Sequence, residues 1–282
     1  MSRKCDPILQ ILLSYAENDA NIRAVLMEGS RAFGEVDAYS DYDIVYVTQN
    51  SEPYFGGAIL PFLQAQFGEI AVMQTPDNGD PRDVYTHLVQ FMNGVRIDLT
   101  FNSLDFLSRA KLESATRVLL DKDARFAALS PPSDADFWVQ RPAAEEFRKH
   151  CNEFWWVSPY VSKAVARNQT LHALELLNEI IRKEYIWMLT QLAASRGDWN
   201  RVKVGKHGTY LKRYLLPEDT YLHDALLHCP ASARPALDTL MQHYCKLSAT
   251  VAEALGYPID GEEAEKTMQF ISKTYDAIKA PR

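Results

Sequence analysis

Apolar and polar positions follow two different rhythms along this chain. Up to about residue 130, short runs rich in β-branched and aromatic residues alternate with turn residues: "AVLME" (24–28), "DIVYVT" (43–48), "EIAVMQ" (69–74), "THLVQFM" (86–92), "VRIDLTF" (95–101) and "RVLLD" (117–121). These predict strands. Asn93-Gly94 joins two of the runs and predicts a two-residue hairpin turn of type I′. Between the strands, Ile8, Ile11, Leu12 and Tyr15 recur at helical spacing, "SEPYFGGAILPFLQAQFG" holds a short helix, and Ser103 is placed to cap a helix over "SLDFLSRAKL". The segment "SPPSDADFWVQRPAAEE", with three prolines, breaks both rhythms and reads as a seam. Beyond it the pattern is helical. Leu171, Leu174, Ile181, Met188 and Leu192 form one predicted stripe, and "ARPALDTLMQHYCKLSATVAEAL" and "EEAEKTMQFISKTYDAI" repeat the period. No internal repeat is evident. The expected fold class is α+β, with a mixed β-sheet flanked by helices over 1–133 and a helical bundle over 134–282.

Composition narrows the classes of function. The chain has 282 residues, 47% hydrophobic and 24% charged, as in ordinary globular proteins. No run is long and apolar enough to span a membrane. The N-terminal "MSRKCDPILQILLSYAENDANIR" reads as an amphipathic helix because acidic residues follow its apolar patch where a signal peptide would have a cleavage site. Cysteines 5, 151, 229 and 245 are scattered without metal-binding spacing, so a reduced, cytoplasmic protein with free thiols is expected. Residues 1–130 hold 11 Lys+Arg against 18 Asp+Glu, whereas residues 131–282 hold 19 of each. An acidic first half argues against a nucleic-acid partner and suits a cationic substrate or metal ions.

The chemistry concentrates in "LMEGSRAFGEVDAYSDYDIVYV" (26–47). Residues two apart on a strand share a face and stand about 6.6 Å apart along it. Asp41 and Asp43 at that spacing repel by about 2.5 kcal/mol at an effective dielectric near 20, and a divalent cation reverses the sign. Hard carboxylate oxygens suit Mg²⁺. A third carboxylate, Asp98, interrupts the apolar strand "RIDLTF" and shares a face with Arg96. Gly29-Ser30 directly follows a strand, where glycine permits close backbone approach to a phosphate and the serine hydroxyl can donate to it.

A strand followed by Gly-Ser, then Asp-x-Asp, then a third Asp on a later strand is the pattern of the nucleotidyltransferase fold of the DNA polymerase β type. The chain further resembles the aminoglycoside 6-adenylyltransferases, the streptomycin-modifying enzymes. "LMEGSRA", "DYDIVYVT", "IDLTF", "LLDKD", "RPAAEEFRKHCNEFWWVSPYVSKAV" and "LNEIIRKEYIWM" carry the likeness in order, and "CNEFWWVSPYVSK" is its most specific segment. The resemblance implies a catalytic nucleotidyltransferase domain over 1–133 and a substrate- and nucleotide-binding domain over 134–282. It also implies transfer of AMP from ATP to a hydroxyl of a cationic antibiotic, with Mg²⁺ as cofactor. Asp41, Asp43 and Asp98 would be catalytic and metal-binding, with Asp98 also a candidate base. Gly29, Ser30 and Arg31 would hold the phosphates.

In the second domain, Phe147, Cys151, Phe154, Val161 and Val165 form a core stripe, while Glu145, Lys149, Asn152, Trp156, Tyr160 and Lys163 form a second stripe. Exposed Trp156 and Tyr160 fit a binding wall better than a solvated surface. Lys163 is expected to reach the triphosphate, in competition with Lys203 and Lys206. Glu145, Asn152, Glu153, Trp156 and Tyr160 are the expected drug contacts, with Asp134 and Asp136 as an acidic rim. Pro159 is expected to kink the helix. The chain is expected to act as a monomer, with no nucleic-acid or membrane partner. The rival readings are a related nucleotidyltransferase acting on another small hydroxyl acceptor or a protein, an RNA-modifying nucleotidyltransferase, and a nucleotide-binding sensor without catalysis.

Overall fold

A computed structural model describes residues 6–34 and 36–279. The chain divides into two compact units, Met1–Asp136 and Phe137–Arg282. The first is built on six strands: β1 (Ile22–Met27), β2 (Tyr42–Thr48), β3 (Ile70–Gln74), β4 (Val84–Phe91), β5 (Arg96–Ser103) and β6 (Arg117–Asp121). Their order in the sheet is β3-β4-β5-β2-β1-β6, and β2–β5 is a parallel pair among antiparallel neighbours. The sheet is therefore mixed, and with its helices and the helical second unit the chain is α+β.

Strands β1 and β2 read as nearly continuous apolar runs because both faces are covered. On one face Val25, Met27, Tyr42, Ile44, Tyr46, Ile97, Leu99 and Phe101 pack with Leu12 and Ala16 of α1 (Pro7–Asn18) and with Leu63 and Phe67 of α3 (Leu60–Phe67). On the other, Ala24, Leu26, Val45 and Val47 pack under Leu104 and Leu107 of α4 (Leu104–Arg109), joined by Leu112, Val118 and Phe126. A fully buried leucine such as Leu12 contributes roughly 2 kcal/mol from area alone. That second face is covered only in part, and its open end carries the carboxylates.

Local signals are realised at both ends of the sheet. The Asp6 carboxylate accepts from the Ile8 N–H at 3.0 Å and starts α1, while Ser103 Oγ accepts from Phe106 N–H at 3.0 Å and starts α4. The β4–β5 hairpin departs from the type I′ expectation. Gly94 has φ +90° but Asn93 does not share the left-handed region, and the Gly94 N–H donates to the Phe91 carbonyl at 3.0 Å. This is a three-residue loop ending in a glycine bulge, which needs only one residue at positive φ.

In the second unit, the 23-residue α5 (Ala144–Ala166) packs against α6 (Thr170–Leu176), α7 (Arg182–Ser195), α9 (Ala233–Leu255) and α10 (Gly261–Lys279), with the short α8 (Thr220–Leu227) beside α9. Phe154 of α5 stacks on Tyr244 of α9 with centroids 3.6 Å apart. Pro159 lies inside α5 without ending it. Of the expected stripe, Ile181, Met188 and Leu192 are buried and Leu174 packs against the core, but Leu171 is corrected: it is 85% exposed, and Ala173, Leu177 and Tyr185 are among the positions buried in its place. A π-helical turn over Leu177–Ile181 joins α6 to α7 and shifts the phase.

Cys151, Cys229 and Cys245 are free thiols, and Cys5 lies outside the described residues. Among the described residues no helix is long and apolar enough to cross a membrane.

Candidate active site

Backbone register assembles the acidic groups. Asp43 pairs with Asp98 across the parallel β2–β5 ladder, so the two side chains stand on the same face of adjacent strands. Asp41 lies two residues earlier and on that same side, just before β2 begins. The Glu28 N–H donates to the Asp43 carbonyl at 2.9 Å and closes the end of β1 onto β2.

The chain then turns at Gly29, φ +65°, into the short α2 (Gly29–Phe33), with Ser30 half-buried in its first turn. A Cβ on Gly29 would collide with the Asp43 carboxylate. This amends the reason for the glycine: it leaves room for the site's own aspartate, whatever else approaches.

Arg31 is held by its own unit. Its Nε donates to the Asp41 carbonyl at 2.8 Å and its Nη2 to the Ser40 carbonyl at 2.9 Å, while the guanidinium stacks 3.7 Å from the centre of the Tyr42 ring. The arginine expected at the phosphates braces the loop that delivers Asp41.

A different arginine faces the carboxylates. Arg96, on the same face of β5, donates bidentately to Asp98, Nε to Oδ1 at 2.9 Å and Nη2 to Oδ2 at 2.8 Å, and its Nε lies 3.4 Å from Asp41 Oδ2. Among the described residues no three carboxylate, imidazole or thiol groups converge as a ready-made metal cage. Asp41 and Asp98 share a guanidinium instead.

Negative charge is still in excess. Burial, then Asp98 and Asp41, push the Asp43 carboxyl up to about 6 against the opposing pull of Arg96 and Arg31. Burial also raises Asp41, with Arg96 opposing. Glu28 is raised to about 7 by burial, then by Glu113 and Asp43. An open cavity of about 270 Å³ lies beside this cluster on the same sheet face, lined by Val72, Met73, Gln74, Leu88, Gln90 and Arg96. A larger one, about 580 Å³, sits against Tyr15 and Phe62 on the opposite face, and none of the three aspartates lines it.

In the helical unit, Glu145, Asn152, Trp156, Tyr160 and Lys163 do share the solvent side of α5. Trp156 is 62% and Tyr160 43% exposed, their rings 6.0 Å apart. The Lys163 ammonium lies 5.3 Å from the Tyr160 ring centre and 5.3 Å from that of Phe270 on α10. Two expected drug contacts already have protein partners: Glu145 pairs with Lys149 at 3.1 Å, and Asn152 donates to Glu263 at 2.8 Å. Glu153 is exposed one position round the helix, towards the His150–Glu184 pair, whose atoms are 2.6 Å apart.

Lys203 is buried, whereas Lys206 sits exposed in its loop. Asp136 accepts from the Ser114 N–H at 2.6 Å and lies 3.6 Å from Lys111, which commits it to holding its own unit together.

Sequence reasoning passed over Glu28, Arg96 and Phe270 as site residues. Glu28 carried a signal, an acid ending an apolar strand directly before Gly-Ser. Arg96 carried one in its two-residue spacing from Asp98. Phe270 reaches Lys163 only through helix packing.

Comparison with known proteins gives the family. The streptomycin adenylyltransferase family matches residues 2–274. Aminoglycoside 6-adenylyltransferases from Bacillus subtilis and Staphylococcus aureus are 35% and 30% identical, covering 74% and 75% of this chain and 75% and 77% of their own lengths. The crystal structure of an aminoglycoside 6-adenyltransferase from Bacillus subtilis is similar at 28% identity, with 95% of this chain and 97% of that one covered and a TM-score of 0.45. With the match running through both units and across the Gly-Ser and Asp-x-Asp segments, this chain belongs to the streptomycin adenylyltransferase family.

Proposed function

We propose that the protein transfers AMP from ATP to a hydroxyl of a cationic aminoglycoside, the 6-hydroxyl of streptomycin foremost, with pyrophosphate leaving and antibiotic resistance as the result. The observation that carries the reading is Asp43 in register with Asp98 beside Asp41, at the open end of a sheet in a chain of this family. Such a reaction asks for positioning and charge compensation more than for covalent participation by the protein.

The donor set fits a divalent metal. Three carboxylates offer hard oxygens from one sheet end, and the Asp43 carboxyl is raised by burial first and then by the neighbouring Asp98 and Asp41. Asp41, Asp43 and Asp98 would hold Mg²⁺, which would supply neutralisation of the triphosphate.

The remaining roles fall to the chain itself. Asp98, on the same face as Asp43, is the candidate to accept the proton of the acceptor hydroxyl once the Arg96 fork frees one of its oxygens. Gly29 and Ser30 receive the terminal phosphates where the backbone turns out of β1. On α5, Lys163 contributes a cation held between two rings, and Trp156, Tyr160 and Glu153 offer stacking surface and negative charge to a guanidinium-bearing drug. Incubation with ATP, Mg²⁺ and a panel of antibiotics tests this, read by product mass. An adenylyl group on streptomycin is the expected result. Products confined to another hydroxyl acceptor would move the specificity, and no product from any aminoglycoside would refute the reading.

A further inference from the structure

The bidentate bridge between Arg96 and Asp98 sits where the proposed chemistry needs open carboxylate oxygens. Both Asp98 oxygens accept from the same guanidinium, and the nearer Asp41 oxygen lies 3.4 Å from it. A fork of this geometry is among the stronger hydrogen-bonded pairs a side chain makes. Two of the three carboxylates therefore already have a cation, one that belongs to the protein.

Resting on the proposed metal-dependent reaction, we propose that Arg96 is the site's resident counter-ion, which holds Asp98 and Asp41 in the metal-free protein and must withdraw for a divalent cation to bind. It is a positioning residue that sets the cation concentration at which the site fills.

Three observations support the exchange. Arg96 shares its strand and face with Asp98, so the bridge spans a two-residue step and breaks by rotation of one side chain with no change in backbone. The Arg96 side chain is 40% exposed, so its release into water costs less than release from a core. The cavity of about 270 Å³ beside it, edged by Gln74 and Gln90, offers somewhere for the side chain to go. In that cavity Gln90 directs its amide N–H groups to the Phe91 and Val95 carbonyls at 3.2 and 3.0 Å, which leaves its side-chain oxygen to accept from a guanidinium.

The exchange also gives a reason for the arginine. Without a cation, the carboxylates would repel one another at the end of a sheet that must still fold. With Arg96 in place the sheet closes first and the divalent ion is admitted afterwards.

Calorimetric titration of the full-length protein with Mg²⁺ alone, without nucleotide, tests the proposal on wild type, Arg96→Gln and Arg96→Lys. Arg96→Gln should bind roughly tenfold more tightly or better, the equivalent of one charge-assisted hydrogen bond no longer competing, with Arg96→Lys between. In the wild type, the Arg96 Nε–H resonance should lose its protection from solvent exchange as Mg²⁺ is added. Equal or weaker binding by Arg96→Gln, or a resonance that stays protected at saturation, overturns the proposal. Asp43→Asn separates this failure from failure of the underlying reading. Binding that vanishes in Asp43→Asn yet ignores Arg96 rejects only the exchange, whereas no binding by any of the proteins rejects the metal site and the exchange with it.

Discussion

In the sheet unit the polar groups are placed by backbone register, whereas in the helical unit they are placed by side-chain packing. Asp43 faces Asp98 because two parallel strands pair at those residues, and Gly29 lies under Asp43 because β1 closes onto β2 one residue earlier. Trp156, Tyr160 and Lys163 occupy one side of α5, and the ring that completes the Lys163 environment, Phe270, comes from a helix far along the chain. Crowded carboxylates make the first arrangement electrostatically strained, so changes there should move stability and chemistry together. The second is exposed and lightly partnered, so changes there should move binding alone.

The largest expected effect tests the strained side. Asp43→Asn should lower transfer by about 10³-fold or more while stabilising the metal-free protein by on the order of 2–3 kcal/mol near neutral pH, read by product mass and denaturant melts. Near wild-type turnover would detach Asp43 from the chemistry.

Next, Gly29→Ala forces a Cβ into the Asp43 carboxylate at a backbone angle of φ +65°, and should cost about 1–3 kcal/mol of stability as well as most activity. A protein of unchanged melting temperature would mean the turn relaxes freely.

The pH dependence follows from the same strain. Asp43 at about 6 and Glu28 at about 7 bind protons more tightly folded than unfolded, where they return towards 3.8 and 4.5. Metal-free stability should therefore rise as pH falls from about 8 towards those ordinary values, and Glu28→Gln should flatten the upper part of that rise. A stability that only falls on acidification over that window contradicts the assignment.

Smallest of all, Lys163→Ala and Phe270→Ala should weaken ATP binding by several-fold and less than that, respectively, a range typical of exposed cation–ring contacts, with unchanged melting temperatures. Unfolding by either would show that the helical face is structural after all.

Much of the sheet unit was legible in the chain because strand alternation, a Ser N-cap and an Asp-x-Asp are local signals. Each of the six expected strands is present, with bounds shifted by a residue or two, and Asp41, Asp43 and Asp98 do gather at one end. Three things escaped for physical reasons. Arg31 and Arg96 are the same residue type beside the same carboxylates, and only the fold decides that one braces a loop while the other bridges Asp98. The hairpin loop had Asn-Gly, which serves two turn geometries, and the extra residue selected the bulged one. Asn152 looked free on its stripe because Glu263, its partner, arrives from a helix that local periodicity cannot position.

The π-turn over Leu177–Ile181 carries a different kind of consequence. Its buried positions on the way into α7 step by four residues from Ala173 through Leu177 and Ile181 to Tyr185, a spacing that drifts off the face of a regular α-helix unless one turn is wide enough to absorb it. That wide turn amounts to a single inserted residue. Removing one residue there would let the helix relax to regular winding with the preceding positions kept on the same faces relative to α7, whereas relaxing the turn without a deletion would rotate them by about 100°. Leu171 would stay on the solvent side and Ala173 in the core, so a relative with one residue fewer in this stretch should keep the same order of apolar and polar positions between residues 170 and 176 and wind this helix regularly.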